Sequence, residues 1–273
     1  MEKENEKFTE NLENQVNEDI DLEIPEVNLP DYVLEVKDLY KSYGKKQVLK
    51  GLNLQVKKGE VFGFIGKNGI GKSTTIDCIV GLKDCDSGTI TVVGDDVKTD
   101  SLATKNSIGY VPSEPVTYEM MSGNEYLQFV ASSYGMLQAS YNKNYEYLIK
   151  KFQMSKADMN RKIREYSHGM KQKVCLMPSL IHNPKIWILD EPTVGLDIIV
   201  YEVLLRMIKD FARFGKTVFV TSHNIELVSK VCDRVAIIND GVVANIIDFK
   251  KEPLKRRELN KIFFKIYTGE DAK

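Results

Sequence analysis

The stretch GKNGIGKS, Gly66 to Ser73, satisfies the pattern GxxxxGK[ST] directly after the apolar run VFGFI and ahead of a segment with helical spacing. That setting gives the pattern chemical meaning. Glycines let a backbone turn tightly enough for its N–H groups to face a phosphate, and a helix N-terminus adds its dipole to the same anion site. Gly66, Lys67, Asn68, Gly69, Ile70 and Gly71 would form the cradle, with Thr74 in the helix that follows. Lys72 would reach the β- and γ-phosphates, and the Ser73 hydroxyl would ligate Mg2+. A second run, IWILDEP, ends in adjacent carboxylates. Asp190 could hold Mg2+ through water, and Glu191 could orient and deprotonate an attacking water. Adjacent carboxylates after an apolar run are a weak signal alone, since strands often end in Asp. Paired with the phosphate loop on a separate strand, they point to a nucleoside triphosphatase. A guanine-reading NKxD motif would need Asp where Tyr145 and Phe263 stand after the two NK pairs, so that reading fails.

The stretch YSHGMKQK, Tyr166 to Lys173, sets His168 between a serine and a glycine. A base beside a nucleophilic serine, a metal ligand and a residue of neither kind are all open on residue type alone.

Short apolar runs must place these residues. YVLEV (32–36) and GTITVVG (88–94) alternate, while VFGFIG (61–66), IWILD (186–190), TVFVTS (217–222) and VAIIND (235–240) are continuous and rich in β-branched residues. Continuous apolar strands separated by helices imply a parallel sheet covered on both faces. About 113–175 the chain is rich in Tyr, Met and Lys with no strand, and reads as a helical subdomain inserted into an α/β core. Trp187 reads as core packing and His182, in IHNPK, as a surface turn residue. Leu259, Ile262, Phe263, Ile266 and Tyr267 follow helical spacing. The tail 248–273 is therefore read as helical, packed on its own domain or, alternatively, lying on a membrane surface.

The order phosphate loop, helical insert, YSHGMKQK, ILDEPTVGLD and TSH resembles the ATP-binding cassette (ABC) family over essentially all of 32–247. The resemblance implies an α/β P-loop NTPase core of RecA-like type, with an N-terminal antiparallel β subdomain and an inserted α-helical subdomain. It implies ATP and Mg2+ as ligands. Residues 166–170 occupy the positions of the family's signature loop, close to LSGGQ, where Ser167 and Gly169 would touch the γ-phosphate bound by a second subunit. His168 would then contribute mainly backbone. Tyr43 looks like the aromatic that stacks on adenine, although a turn tyrosine in its YG bend stays open. Gly195 to Asp197 look like the loop crossing the dimer interface, and His223 like the switch histidine that senses the γ-phosphate. Two positions depart from the family: Ser113 stands where a glutamine usually contacts Mg2+ and water, and Met170 replaces the signature glutamine. Both stretches, and the tail LNKIFFKIYTGED, are similar to bacterial exporter ATPases. A homodimer or heterodimer of ATPase subunits would then drive a separate membrane subunit from the cytoplasmic face of the membrane.

Composition agrees with a globular protein and narrows the field. The chain has 273 residues, 42% hydrophobic and 28% charged, with no uncharged apolar run of spanning length. Four scattered cysteines form no CxxC pair and read as free thiols. Residues 1–31 carry 11 Asp/Glu against two Lys and read as an acidic disordered tail, leaving a basic body. Basic charge suits nucleotide, anionic membrane or nucleic acid alike. The alternative, a soluble ABC ATPase acting on ribosomes or nucleic acid, would show two cassettes or a long coiled coil, and neither is present, so no nucleic-acid partner is expected. A non-enzymatic binding module stays open through Ser113, with Glu191 and His223 against it.

Overall fold

The computed structural model describes residues 29–114 and 116–269, so most of the acidic stretch 1–31 lies outside the described residues. Two sheets organise them. The first is antiparallel, in the order β2-β1-β4-β5, built from β1 (Tyr32–Tyr43), β2 (Lys46–Lys57), β4 (Ser87–Val92) and β5 (Asp95–Asp96). The second has the order β10-β9-β3-β8-β7-β6. Its strands are β3 (Val61–Ile65), β6 (Ile108–Val111), β7 (Ile186–Asp190), β8 (Thr217–Ser222), β9 (Arg234–Asn239) and β10 (Val242–Asp248). All its pairings are parallel except the edge pair β9–β10.

Every residue of β3, β7 and β8 is buried, which is why these strands read as unbroken apolar runs. Their side chains alternate between two cores. Phe62, Phe64, Ile188 and Phe219 face the antiparallel sheet and the first helix, α1 (Lys72–Ile79). Val61, Ile65, Trp187, Leu189, Val218 and Val220 face the other way, toward the remaining helices. The Phe62 and Phe219 rings stack at 6.0 Å across neighbouring strands. Burying one such ring stabilises by about 1.5–3 kcal/mol, so both faces help fix the strand ends that carry the site.

Between β6 and β7 run α3 (Gly123–Ser133), α4 (Gln138–Lys151), α5 (Lys156–Asn160), α6 (His168–Leu176) and α7 (Pro178–Ile181). Ser122 caps α3 in a complete capping box with Glu125, the sequence signal for a helix start. The earlier helix α2 (Ser101–Ser107) precedes β6; α8 (Ile198–Arg213) and α9 (Ile225–Val231) follow β7 and β8. The final helix, α10 (Lys255–Thr268), buries Leu259 and packs Ile262, Phe263, Ile266 and Tyr267 on the core. The amphipathic tail lies on its own domain.

One expectation needs correction. His182 stands in a turn, just after α7, but is half-buried rather than on the surface: its ring stacks on Tyr134 at 3.8 Å, and its Nε2–H donates to the Ile108 carbonyl at 2.9 Å. Burial pushes its pKa down to about 4. Trp187 is core as expected, with Nε1–H donating to Ser179 Oγ at 2.9 Å. All four cysteines are free thiols.

Candidate active site

β3 ends at Ile65, and the chain turns through the phosphate loop into α1. Two residues of the turn have left-handed backbone, Gly69 (φ +75°) and Gly71 (φ +119°). Gly71 is the N-cap of α1, and a Cβ there would stand 3.0 Å from Leu49 Cδ2. Only glycine meets both demands. Gly71 also accepts the first helical bond, from Thr75 N–H at 2.9 Å. The loop residues Lys67, Asn68 and Gly69 are exposed and Ile70 is partly so, whereas Gly66 is buried. Ser73 and Thr74 open α1 at the solvent edge.

Lys72 is 5% exposed and folds back beneath the loop. Its ammonium donates to the Gly66 carbonyl at 2.8 Å and to the Lys67 carbonyl at 3.3 Å. It also pairs with Glu191 Oε1 at 3.2 Å. The other oxygen of that carboxylate, Oε2, lies 2.8 Å from His223 Nδ1 and accepts the His223 backbone N–H at 3.1 Å. Glu191 therefore spans the loop lysine and the histidine beyond β8. Its backbone is left-handed, φ +49°, uncommon for a residue with a side chain and of order 1–2 kcal/mol in cost. Its N–H donates to the Thr221 carbonyl at 3.1 Å, which fixes the sharp turn out of β7.

Asp190, one residue earlier, is 2% exposed. Its Oδ1 accepts from the Thr221 hydroxyl at 2.5 Å, and the Ser73 hydroxyl bonds the same carboxylate. Burial raises the Asp190 carboxyl above its ordinary range, against these two hydrogen bonds, which pull it down. Thr221 carries no motif signal. Its one sequence cue is its position in TSH, two residues before the histidine.

A second cluster joins the signature loop to the 195–197 loop. Ser167 caps α6, its hydroxyl accepting from Met170 N–H at 3.3 Å. A Cβ on Gly169 would stand 2.5 Å from Asp197 Oδ2, so this approach requires glycine. Asp197 caps α8 through Val200 N–H at 2.8 Å. Gln172, to which sequence reading gave no role, joins the two loops. Its amide N–H groups reach the Gly195 carbonyl and, at 2.8 Å, His168 Nε2, while its oxygen accepts from Asp197 N–H at 3.2 Å. The His168 ring thus supports the neighbouring loop. Among the described residues no hydrogen bond or ion pair joins 167–170 to 66–74.

The remaining positions stand apart. Tyr43 ends β1, 44% exposed, with the ammonium groups of Lys41 and Lys83 5.7 and 5.5 Å from its ring centroid. Ser113 is exposed in the loop after β6. Tyr267 of α10, in sequence one residue of an apolar helical face, reaches the phosphate loop. Its hydroxyl accepts from the Lys67 backbone N–H at 3.1 Å.

Residues 49–194 match the family model described as ABC transporter. The chain belongs to the ABC transporter family. Its likeness to individual members is broad. It is 38% identical over 209 residues to the linearmycin resistance ATP-binding protein LnrL of Bacillus subtilis, covering 77% of this chain and 67% of that one. It is 31% identical over 240 residues to the Nod factor export ATP-binding protein I of Sinorhizobium fredii, covering 88% and 69%. Among solved structures it superimposes on the ATP-binding cassette MJ0796, a dimer in a post-hydrolysis state bound to ADP and Pi, with a TM-score of 0.70. That match is 25% identical and covers 79% of this chain and 98% of the other. The ABC fold and family expected from the motifs are both found, and with them the role of an ATP-binding transporter subunit over that of a ribosome- or nucleic-acid-directed cassette.

Proposed function

We propose that this chain hydrolyses Mg2+-ATP to power a separate membrane subunit of an exporter. The observation that carries the proposal is the Glu191 carboxylate, held between Lys72 and His223 one residue beyond the buried Asp190. Residues 66–74 cradle the phosphates through backbone N–H groups, and Tyr43 offers an exposed ring to adenine. The Ser73 hydroxyl and the Asp190 carboxylate fit Mg2+: both are hard oxygen donors, already adjacent, at the head of α1. When bound there, Mg2+ supplies charge neutralisation to the β- and γ-oxygens. Glu191 takes the proton of the attacking water, and His223 keeps its carboxylate aimed. Lys72 exchanges its loop carbonyls for phosphate oxygens.

Ser167, Gly169 and Asp197 act on a nucleotide held by a second subunit. The lack of any bond from 167–170 to the chain's own phosphate loop supports this, as does the exposed apolar edge of Val194, Ile198 and Ile199 beside Asp197. Just beyond Ser113, the exposed Val116, Tyr118, Met120 and Phe129 offer an apolar surface to the membrane subunit. No helix among the described residues is long and apolar enough to cross a membrane, which suits a subunit held peripherally at the cytoplasmic face. The export direction rests on the Nod factor relative and on the resemblance of the stretches around Met170 and Ser113 to bacterial exporter ATPases.

The test places Glu191→Gln in both copies, Lys72→Ala in one and Ser167→Arg in the other, with different tags to isolate mixed dimers. Neither homodimer should trap ATP. The mixed dimer retains one intact composite site and should trap about one ATP. A verified mixed dimer that traps none refutes the trans role of Ser167. Glu191→Gln alone should lower hydrolysis about 100-fold or more while ATP still binds. Hydrolysis within twofold of the unaltered chain would refute the assignment of the base.

A further inference from the structure

We infer that Tyr267, on the last helix, is a positioning residue for the phosphate loop. The inference rests on the proposal that ATP binds at 66–74. The peptide unit between Gly66 and Lys67 is held from both sides. Its carbonyl accepts from Lys72 Nζ at 2.8 Å, and its N–H donates to the Tyr267 hydroxyl at 3.1 Å. That hydroxyl donates in turn to the Ile238 carbonyl at the end of β9, so the ring cannot turn away without losing a second bond. The Phe263 ring lies 4.8 Å from the Tyr267 ring, and the Asn239 side-chain amide donates to the Ile266 carbonyl at 3.3 Å. The Lys67 ammonium sits 4.5 Å from the ring centroid. A Cβ at Gly66 would meet the hydroxyl at 3.0 Å, so loop and ring are in close contact.

The consequence appears when Lys72 moves to the phosphates. Its ammonium then leaves the Gly66 carbonyl, and Tyr267 becomes the remaining side-chain hold on that peptide. The N–H of that peptide is spent on Tyr267, so the bond fixes where the loop leaves β3 and, with it, the places of the following N–H groups that face a phosphate. Tyr267 therefore acts after Lys72 lets go, keeping the loop in its anion-binding form. Affinity for nucleotide becomes a property of the last helix as well as of the loop.

Tyr267→Phe keeps the ring, its packing and its contact with the Lys67 ammonium, and removes only the hydroxyl. Loss of one such hydrogen bond predicts a three- to tenfold rise in Kd and KM for ATP, with kcat within twofold. The Lys67 amide should exchange hydrogen faster in the variant, a change that does not require binding to be measured. Asn239→Ala loosens the same helix end without touching the hydroxyl, and should leave Kd within twofold even where it lowers Tm. Unchanged ATP affinity and unchanged Lys67 exchange in Tyr267→Phe overturn the inference. So does an equal rise in Kd for Asn239→Ala, which would assign the effect to helix packing. Lys72→Ala separates the two levels. If it still binds ATP like the unaltered chain, the proposed ATP site fails. If it loses ATP while Tyr267→Phe does not, only the role of Tyr267 fails.

Discussion

Replacing Thr221 by valine keeps the shape of a fully buried side chain and deletes the hydroxyl that holds Asp190 Oδ1 at 2.5 Å. A hydrogen bond to a charged group contributes about 1.5–3 kcal/mol, so the nucleotide-free chain should lose about 2 kcal/mol. The hydroxyl also lies 3.2 Å from Glu191 N, but that amide keeps the Thr221 carbonyl at 3.1 Å, so little is added. For a domain of this size about 2 kcal/mol corresponds to a Tm lower by about 4–8 °C. The sign of the pH dependence follows from Asp190. Burial raises its native pKa above the unfolded value of 3.8, and the Thr221 bond opposes that rise. Its contribution to stability is then full below the unfolded value and is lost as pH rises through the native one. Valine raises the native pKa further and extends the loss. The stability gap should therefore widen from acid toward neutral pH and flatten above the native pKa of the variant. Urea unfolding at a series of pH values measures it, with Thr221→Ser expected to recover most of the loss. A gap below about 0.5 kcal/mol, or one that does not narrow in acid, would refute the reasoning.

Three further outcomes are expected. His182 titrates near 4 in the native chain against 6.5 unfolded, so its contribution is present above 6.5 and is lost as pH falls toward 4. Urea midpoints at pH 5 and pH 7 should accordingly differ less in His182→Gln, and an equal difference would contradict the half-buried, neutral assignment. Gly109→Ala would set a Cβ 2.1 Å from the Ser179 carbonyl oxygen, a clash with backbone that should cost about 3 kcal/mol or prevent folding. A soluble variant with unchanged Tm would show that β6 can shift. Ser113→Gln should preserve or raise ATP hydrolysis if water fills the place of the missing amide, and a large loss in steady-state rate would show a loop built around serine.

The legible parts of the fold are those whose chemistry is local. The strands β3, β7 and β8 are buried on both faces, so their runs needed no partner to be read. Part of β1 alternates visibly, but its bulged pairing with β2 carries it to Tyr43, and register shifts blur any period over twelve residues. The four-residue β6, with a glycine inside it, is too short to show one. In the site, the loop, the carboxylates and His223 are joined by sequence motifs. Thr221, Gln172 and Tyr267 matter through contacts across 31, 23 and 200 residues, and residue type gives no sign of such partners. His182 was misread for the same reason, since the Tyr134 ring that covers it is 48 positions away.

The left-handed backbone at Glu191 sets two kinds of selection against each other. A residue without a Cβ, or asparagine, would occupy φ +49° at lower cost, so a library of variants sorted only for heat resistance should drift away from glutamate there. A library sorted for ATP turnover should retain it, because only that side chain spans Lys72 and His223 with a proton acceptor. Survivors of the two screens would diverge at one codon. Their divergence would measure, in population terms, how much stability is given up to keep the proposed base beside the phosphate loop.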